Sequence, residues 1–159
     1  MEGFSMKKSN KKGFTLVELV VVIAIIGVLA AILVPSMMGY VKKSRLKTAN
    51  GNAKTAYNAV AEYAADQETK GTPVTWTSGS GDTYDCKTDA SGVQHVLYSA
   101  LADNGNEAGE AYVGGADINS KTTFFVHWRK TSSDTIIGQY PEATADVDSC
   151  PPWGTWKAQ

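Results

Sequence analysis

Twenty-one residues, Phe14 to Val34, form a nearly continuous apolar run whose single charge is Glu18. As a helix rising 1.5 Å per residue, the run spans about 31 Å, the thickness of a bilayer hydrocarbon core. A carboxylate near the centre of such a span costs roughly 2.5–3.5 kcal/mol on insertion scales, which makes it a functional-site candidate by default. The expectation is a helix that is stored in a membrane and used elsewhere.

The rest of the chain is sized for one compact domain. Its first 13 residues carry Lys7, Lys8, Lys11 and Lys12 against Glu2, leaving 11 basic and 15 acidic side chains beyond them. That acidic remainder argues against general nucleic-acid binding. Lysines beside an apolar span favour the cytoplasm, so the C-terminal part is expected outside. Outside the cytoplasm two cysteines usually pair, and Cys86 with Cys150 would close a loop of about 65 residues, worth roughly 4 kcal/mol. Only 89 residues follow Lys70, and so small a core gains much from a staple. The alternative is two buried, reduced thiols.

Three readings fit the apolar run. A secretory signal peptide has the basic flank and Val28-Leu29-Ala30 as a cleavage context, but the run is longer than the usual 7–15 residues and a glutamate has no role in it. A permanent anchor explains the length and leaves Glu18 unexplained. The third reading rests on Lys11-Lys12-Gly13-Phe14-Thr15-Leu16-Val17-Glu18, which resembles the class III leader and cleavage site of type IV pilins and type II secretion pseudopilins. The resemblance is close from Lys7 to about Arg45 and holds in outline beyond.

The resemblance implies that a prepilin peptidase cuts between Gly13 and Phe14 and methylates the new amine of Phe14. It also assigns Glu18, with Phe14, to subunit assembly. A buried ion pair adds little net stability, but an unpaired buried charge is costly, which suits a device that penalises misaligned subunits. The implied organisation is a leader over 1–13, a transmembrane and filament-core helix over 14–34, its amphipathic continuation over 35–70, and a globular head over 71–159. Implied partners are identical or homologous pilin subunits in a helical homo-oligomer, the prepilin peptidase, an inner-membrane assembly platform, and the membrane before assembly. The subunit would be single-pass with its N-terminus inside, then part of an extracellular fibre. No cofactor is implied.

Within the run, Ala24, Gly27 and Ala31 share one face, a spacing that lets helices approach closely in an apolar medium. Pro35 removes a helical hydrogen bond, and Gly39 weakens the same turn, so Pro35–Gly39 is the expected weak point. Periodicity resumes at once: Leu46, Ala49, Ala53, Tyr57, Val60 and Ala64 form one stripe. Gly71 and Pro73 end it. One helix from Phe14 to about Thr69 is expected, roughly 84 Å if straight. Lys42, Lys43, Arg45 and Lys47 form a basic cluster that faces headgroups, a neighbour's acidic surface, or solvent.

Residues 71–92 read as loop. Ser91-Gly92-Val93-Gln94 reads as a capping box opening a short helix that buries Val93, Val96, Leu97, Ala100 and Leu101. Tyr112-Val113 is a short strand before a Gly-Gly turn. Thr122 to Lys130 alternates, with Phe124, Val126 and Trp128 on one face and Phe125, His127 and Arg129 on the other. Thr135 to Tyr140 is its hairpin partner, and residues 141–159 are irregular. The fold class is therefore α+β, and pilin-like by resemblance: a long helix with an apolar, protruding half and an amphipathic half packed on a small antiparallel sheet.

No nucleophile elbow, phosphate loop or paired-carboxylate motif is present. His95 and His127 lack partners at metal spacing, and no metal site is expected; Asp146 and Asp148 are the only hint of a calcium loop. Trp153 and Trp156, beside Pro151-Pro152, are candidates for stacking on sugar rings. The leading function is a structural pilus subunit, not an enzyme. The alternatives are a pseudopilin of a secretion or competence machine, and a membrane-anchored carbohydrate-binding or adhesion protein.

Overall fold

The computed structural model describes residues 13–77, 79–117 and 120–156, with side chains at 116–122 left aside. Residues 1–12, including Lys7, Lys8, Lys11 and Lys12 of the expected leader, lie outside the described residues. The chain divides into two compact units, residues 1–39 and 40–159. Helix α1, Leu16–Thr69, contributes to both and carries Pro35 within it.

In the first unit, the described large apolar side chains of the helix are exposed. In the second, α1 buries Leu46, Ala49, Ala53, Ala56 and Val60. This is the expected stripe with Ala56 added and with Tyr57 and Ala64 only partly buried. The alanines keep the stripe low, so the sheet approaches the helix backbone. The approach is closest at Gly138, where a Cβ would stand 2.1 Å from the carbonyl carbon and oxygen of Ala49.

The sheet is a four-stranded antiparallel meander in the order β1 (Gly81–Asp85), β2 (Glu110–Asp117), β3 (Ser120–Arg129), β4 (Gly138–Tyr140). Helix α2, Val93–Leu101, separates β1 from β2 and buries Leu97 and Leu101. The alternation of β3 is as expected: Phe124, Val126 and Trp128 join the core with Ala111 and Val113 of β2. Tyr57 and Trp76 both stack on Phe124, with ring centroids 4.4 and 4.3 Å away. Asn50 of α1 ties the edge down, its Oδ1 accepting from the backbone N–H of Gln139 and of Thr144, and its Nδ2 donating to the Thr144 carbonyl.

Several expectations need correction. Part of the 71–92 loop is strand β1, which pairs with β2 from Gly81↔Gly114 to Asp85↔Glu110. Its side chains are exposed apart from a half-buried Tyr84, so it carries no apolar period. The Gly-Gly pair is not a turn: β2 runs through Gly114 and Gly115, with a register shift between Gly115 and Asp117. A Cβ on Gly114 would stand 2.6 Å from the Tyr112 ring, so the glycine makes room for that ring on the sheet. The capping box at Ser91 does not form. Gly92, at φ +65°, is the N-cap of α2 and has no side-chain bond. Gln94 instead donates from Nε2 to the carbonyls of Asp85 and Thr88. The partner strand shrinks from 135–140 to Gly138–Tyr140.

The expected Cys86–Cys150 bridge is not formed; both thiols are free. Cys86 belongs to the core and Cys150 packs against it, each engaged elsewhere. The Cys86 Sγ faces the Tyr84 carbonyl, and the Cys150 Sγ accepts from the Ile137 N–H. Burial pushes the Cys86 thiol up to about 12.

Candidate functional site: the N-terminal helix

Gly13, Phe14 and Thr15 precede α1, and Phe14 is 86% exposed. Glu18 stands in the first turn of the helix and is satisfied within its own chain. Its Oε2 accepts from the Thr15 N–H at 2.9 Å and from the Thr15 hydroxyl at 2.7 Å. The Glu18 N–H returns a bond to the Thr15 Oγ1 at 3.3 Å. This is a capping box, with Thr15 at the N-cap position and Glu18 three residues on. The signal T-x-x-E is plain in Thr15-Leu16-Val17-Glu18, but sequence reasoning took Glu18 only as a charge awaiting another subunit. The carboxylate therefore has a local role, closing donors that the first turn leaves open.

From Leu19 to Val34 the helix is apolar on every side. The large apolar side chains between Phe14 and Val41 are each 48–86% exposed. By length and composition this helix is long and apolar enough to cross a membrane. A Cβ added at Gly27 or Gly39 would meet nothing within 4 Å, so no contact inside the chain requires either glycine. Pro35 has no N–H to offer the Ala31 carbonyl. The neighbouring Ser36 hydroxyl donates to Leu33, not Ala31.

The C-terminal tryptophans pack on the sheet. Trp153 and Trp156 are half-buried against the second face of the sheet. The Arg129 guanidinium lies 4.0 Å from the Trp153 ring centre, and the Trp153 Nε1 donates to the Thr83 hydroxyl. Trp156 packs against Phe125 at 5.3 Å. Arg129 is held in turn by Glu110, at 3.0 and 2.9 Å. The pair works as a lid on the sheet.

His127 lies beneath that lid, fully buried. Its Nε2 is 3.0 Å from the Gln139 Oε1, and its Nδ1 accepts from the Gly154 N–H at 3.3 Å. Burial pushes its pKa down to about 4, against a weaker opposing pull from Gln139. His95 is exposed, 2.7 Å from Asp89. Asp146 caps a short 3-10 turn, Val147–Ser149, which occupies the carboxylate considered for calcium. Among the described residues no three potential metal ligands cluster.

Residues 8–34 match the family described as the prokaryotic N-terminal methylation motif. The chain is 48% identical over 62 residues to the fimbrial protein EcpC of Eikenella corrodens, covering 39% of this chain and 40% of that one. It is 40% identical over 72 residues to the type IV major fimbrial protein FimA of Dichelobacter nodosus, 45% of each. With the type IV major pilin protein PilA of Myxococcus xanthus it shares 39% identity over 59 residues, 37% of this chain and 27% of that one. The matched stretch thus spans less than half the length of these relatives. No solved structure matches. Over the matched stretches the chain is similar to the N-terminal methylation motif and to type IV fimbrial proteins, and its own fold is a long helix packed on a small antiparallel sheet.

Proposed function

We propose that this chain is the structural subunit of a type IV pilus, held in the membrane by its N-terminal helix and then polymerised through it. One observation carries the reading. The large apolar side chains from Phe14 to Val41 are exposed on every side of α1, while the second unit has a complete core of its own. A surface apolar all round is tolerated only when lipid or other helices cover it. The glycine at position 27, unneeded within one chain, suits close packing against a neighbour's helix.

On this reading, residues 1–13 are removed after Gly13 and Phe14 is N-methylated. Residues 14–34 form the membrane and filament-core segment, 35–70 its amphipathic continuation, and 71–159 the head displayed on the fibre. The pilin family is structural rather than catalytic, and the partners are other pilin subunits. Intact-mass measurement tests the processing: the mature chain should lack Met1–Gly13 and carry one added methyl group, whereas a start at Ala31 would sink the proposal. Glu18→Ala tests the assembly. The variant should insert and be cleaved, yet give at least about tenfold fewer sheared filaments, the scale of an uncompensated buried charge. Wild-type filament yield would refute the role of Glu18.

A further inference from the structure

The exposed apolar surface of α1 ends at Val41, and charge begins at the next residue. Tyr40 is 76% exposed and Val41 54%. Lys42, Lys43, Arg45 and Lys47 follow, all exposed. At about 100° per residue they are spread around the helix rather than gathered on one face. Arg45 is taken by Asp134 at 2.7 Å. Lys42, Lys43 and Lys47 have no carboxylate within ion-pairing distance among the described residues. Asp146 lines the same groove as Lys43 and Lys47, but its carboxylate is turned to the Val147 N–H at 2.6 Å. An exposed tyrosine followed by unpaired lysines at the end of an apolar helix is the pattern of a membrane interface. There the aromatic ring sits at headgroup level and long basic side chains reach for phosphates.

We propose that Lys42, Lys43 and Lys47 bind the phosphates of anionic phospholipid headgroups, and that Tyr40 to Lys47 marks the bilayer boundary on the side of the globular unit. The inference rests on the reading that the apolar part of α1 is held in a membrane. It extends that reading by moving the boundary beyond Val34 and naming a lipid class. Pro35 and Gly39 then lie within the bilayer rather than above it.

The test uses the full chain in nanodiscs of mixed phosphatidylglycerol and phosphatidylcholine. Lipids retained on the released protein are counted by native mass spectrometry. Near an anionic surface each lysine is worth severalfold in binding, so phosphatidylglycerol should be enriched at least about tenfold. Added salt should lower the enrichment. The triple variant K42Q/K43Q/K47Q should retain the two lipids in proportion to their supply, while Lys70→Gln, just past the C-terminal end of α1, should keep the preference. A wild-type chain without preference, or a triple variant that keeps it, overturns the proposal. If the triple variant keeps its lipid selectivity but no longer self-associates, the lysines serve a second copy and the lipid assignment falls. A chain recovered in the alkaline wash of vesicles, whatever their composition, would remove the membrane reading itself and this boundary with it.

Discussion

Acidification should unlock the lid on the second face of the sheet, because His127 is buried there as a neutral ring. The Gly154 N–H donates to Nδ1, so the ring proton is on Nε2, facing the Gln139 Oε1. Gln139 is anchored in turn, its Nε2 donating to the Glu142 carbonyl. A second proton, on Nδ1, would place two donors face to face. Burial accordingly holds the folded pKa down to about 4, where an unfolded histidine titrates near 6.5. With the folded pKa the lower, the unfolded chain takes up the proton first. The stabilisation is complete above about pH 6.5 and is lost as pH falls towards 4. About 2.5 pKa units at 1.36 kcal/mol each amounts to about 3 kcal/mol. The assay is urea unfolding of residues 40–159, the unit holding the whole core, followed by tryptophan fluorescence from pH 7.5 to 4. Trp153, with its ring 6.0 Å from His127, reports on the lid. The His127→Gln variant loses the titrating group while the carboxylates remain common to both proteins. The stability advantage of wild type over the variant should therefore shrink by about 3 kcal/mol across that range. An advantage constant to within about 0.5 kcal/mol would refute the reasoning.

Three further outcomes follow from the packing. In reduced protein, Cys86 should be silent to a thiol reagent while Cys150 reacts, because a thiol near pKa 12 leaves only about one part in ten thousand as thiolate at pH 8. Two fast thiols in the native state would contradict the burial, and none in urea without reductant would mean that the two cysteines bridge. Gly138→Ala should cost about 1–3 kcal/mol or more in a thermal melt, since its Cβ meets helix backbone that cannot step aside. Asn50→Ala should cost about 2–4 kcal/mol by urea titration, because it strands the N–H groups of Gln139 and Thr144; Asn50→Asp, which keeps the acceptor, should recover part of that loss.

The sequence was most legible where one side chain in two, or one in three or four, meets the core. The stripe on α1 from Leu46 to Val60 and the alternation of β3 are both of this kind, and both stand as read. Ala56 escaped notice because an alanine carries little apolar signal, although in a closely packed helix it is buried as completely as Val60. β1 left no signal: an exposed edge strand of Gly-Asp-Thr-Tyr-Asp is held by backbone pairing and by the space its glycine leaves near the Tyr112 ring. The lid was illegible for another reason. Trp153 and Trp156 find Arg129 and Phe125 from 24 and 31 residues away in the chain, and no local period announces such a contact.

Glu18 was singled out by its charge alone, and that left half of its setting unread. A charge in an apolar helix demands a partner, and the demand was taken to point outside the chain. The structure supplies one inside, at Thr15, through two accepted hydrogen bonds. Those bonds change the energetics of any assembly through Glu18. A neighbour's amine does not meet a bare carboxylate; it competes with a cap worth about 0.5–2 kcal/mol when removed. An intermolecular pair must either exceed that or leave it standing, and a carboxylate has room for the second course, since it offers about four acceptor sites. Thr15 and Glu18 therefore form one unit: the cap fixes the carboxylate at the start of the helix, and under the proposed assembly a carboxylate fixed in place would make alignment with a neighbour selective.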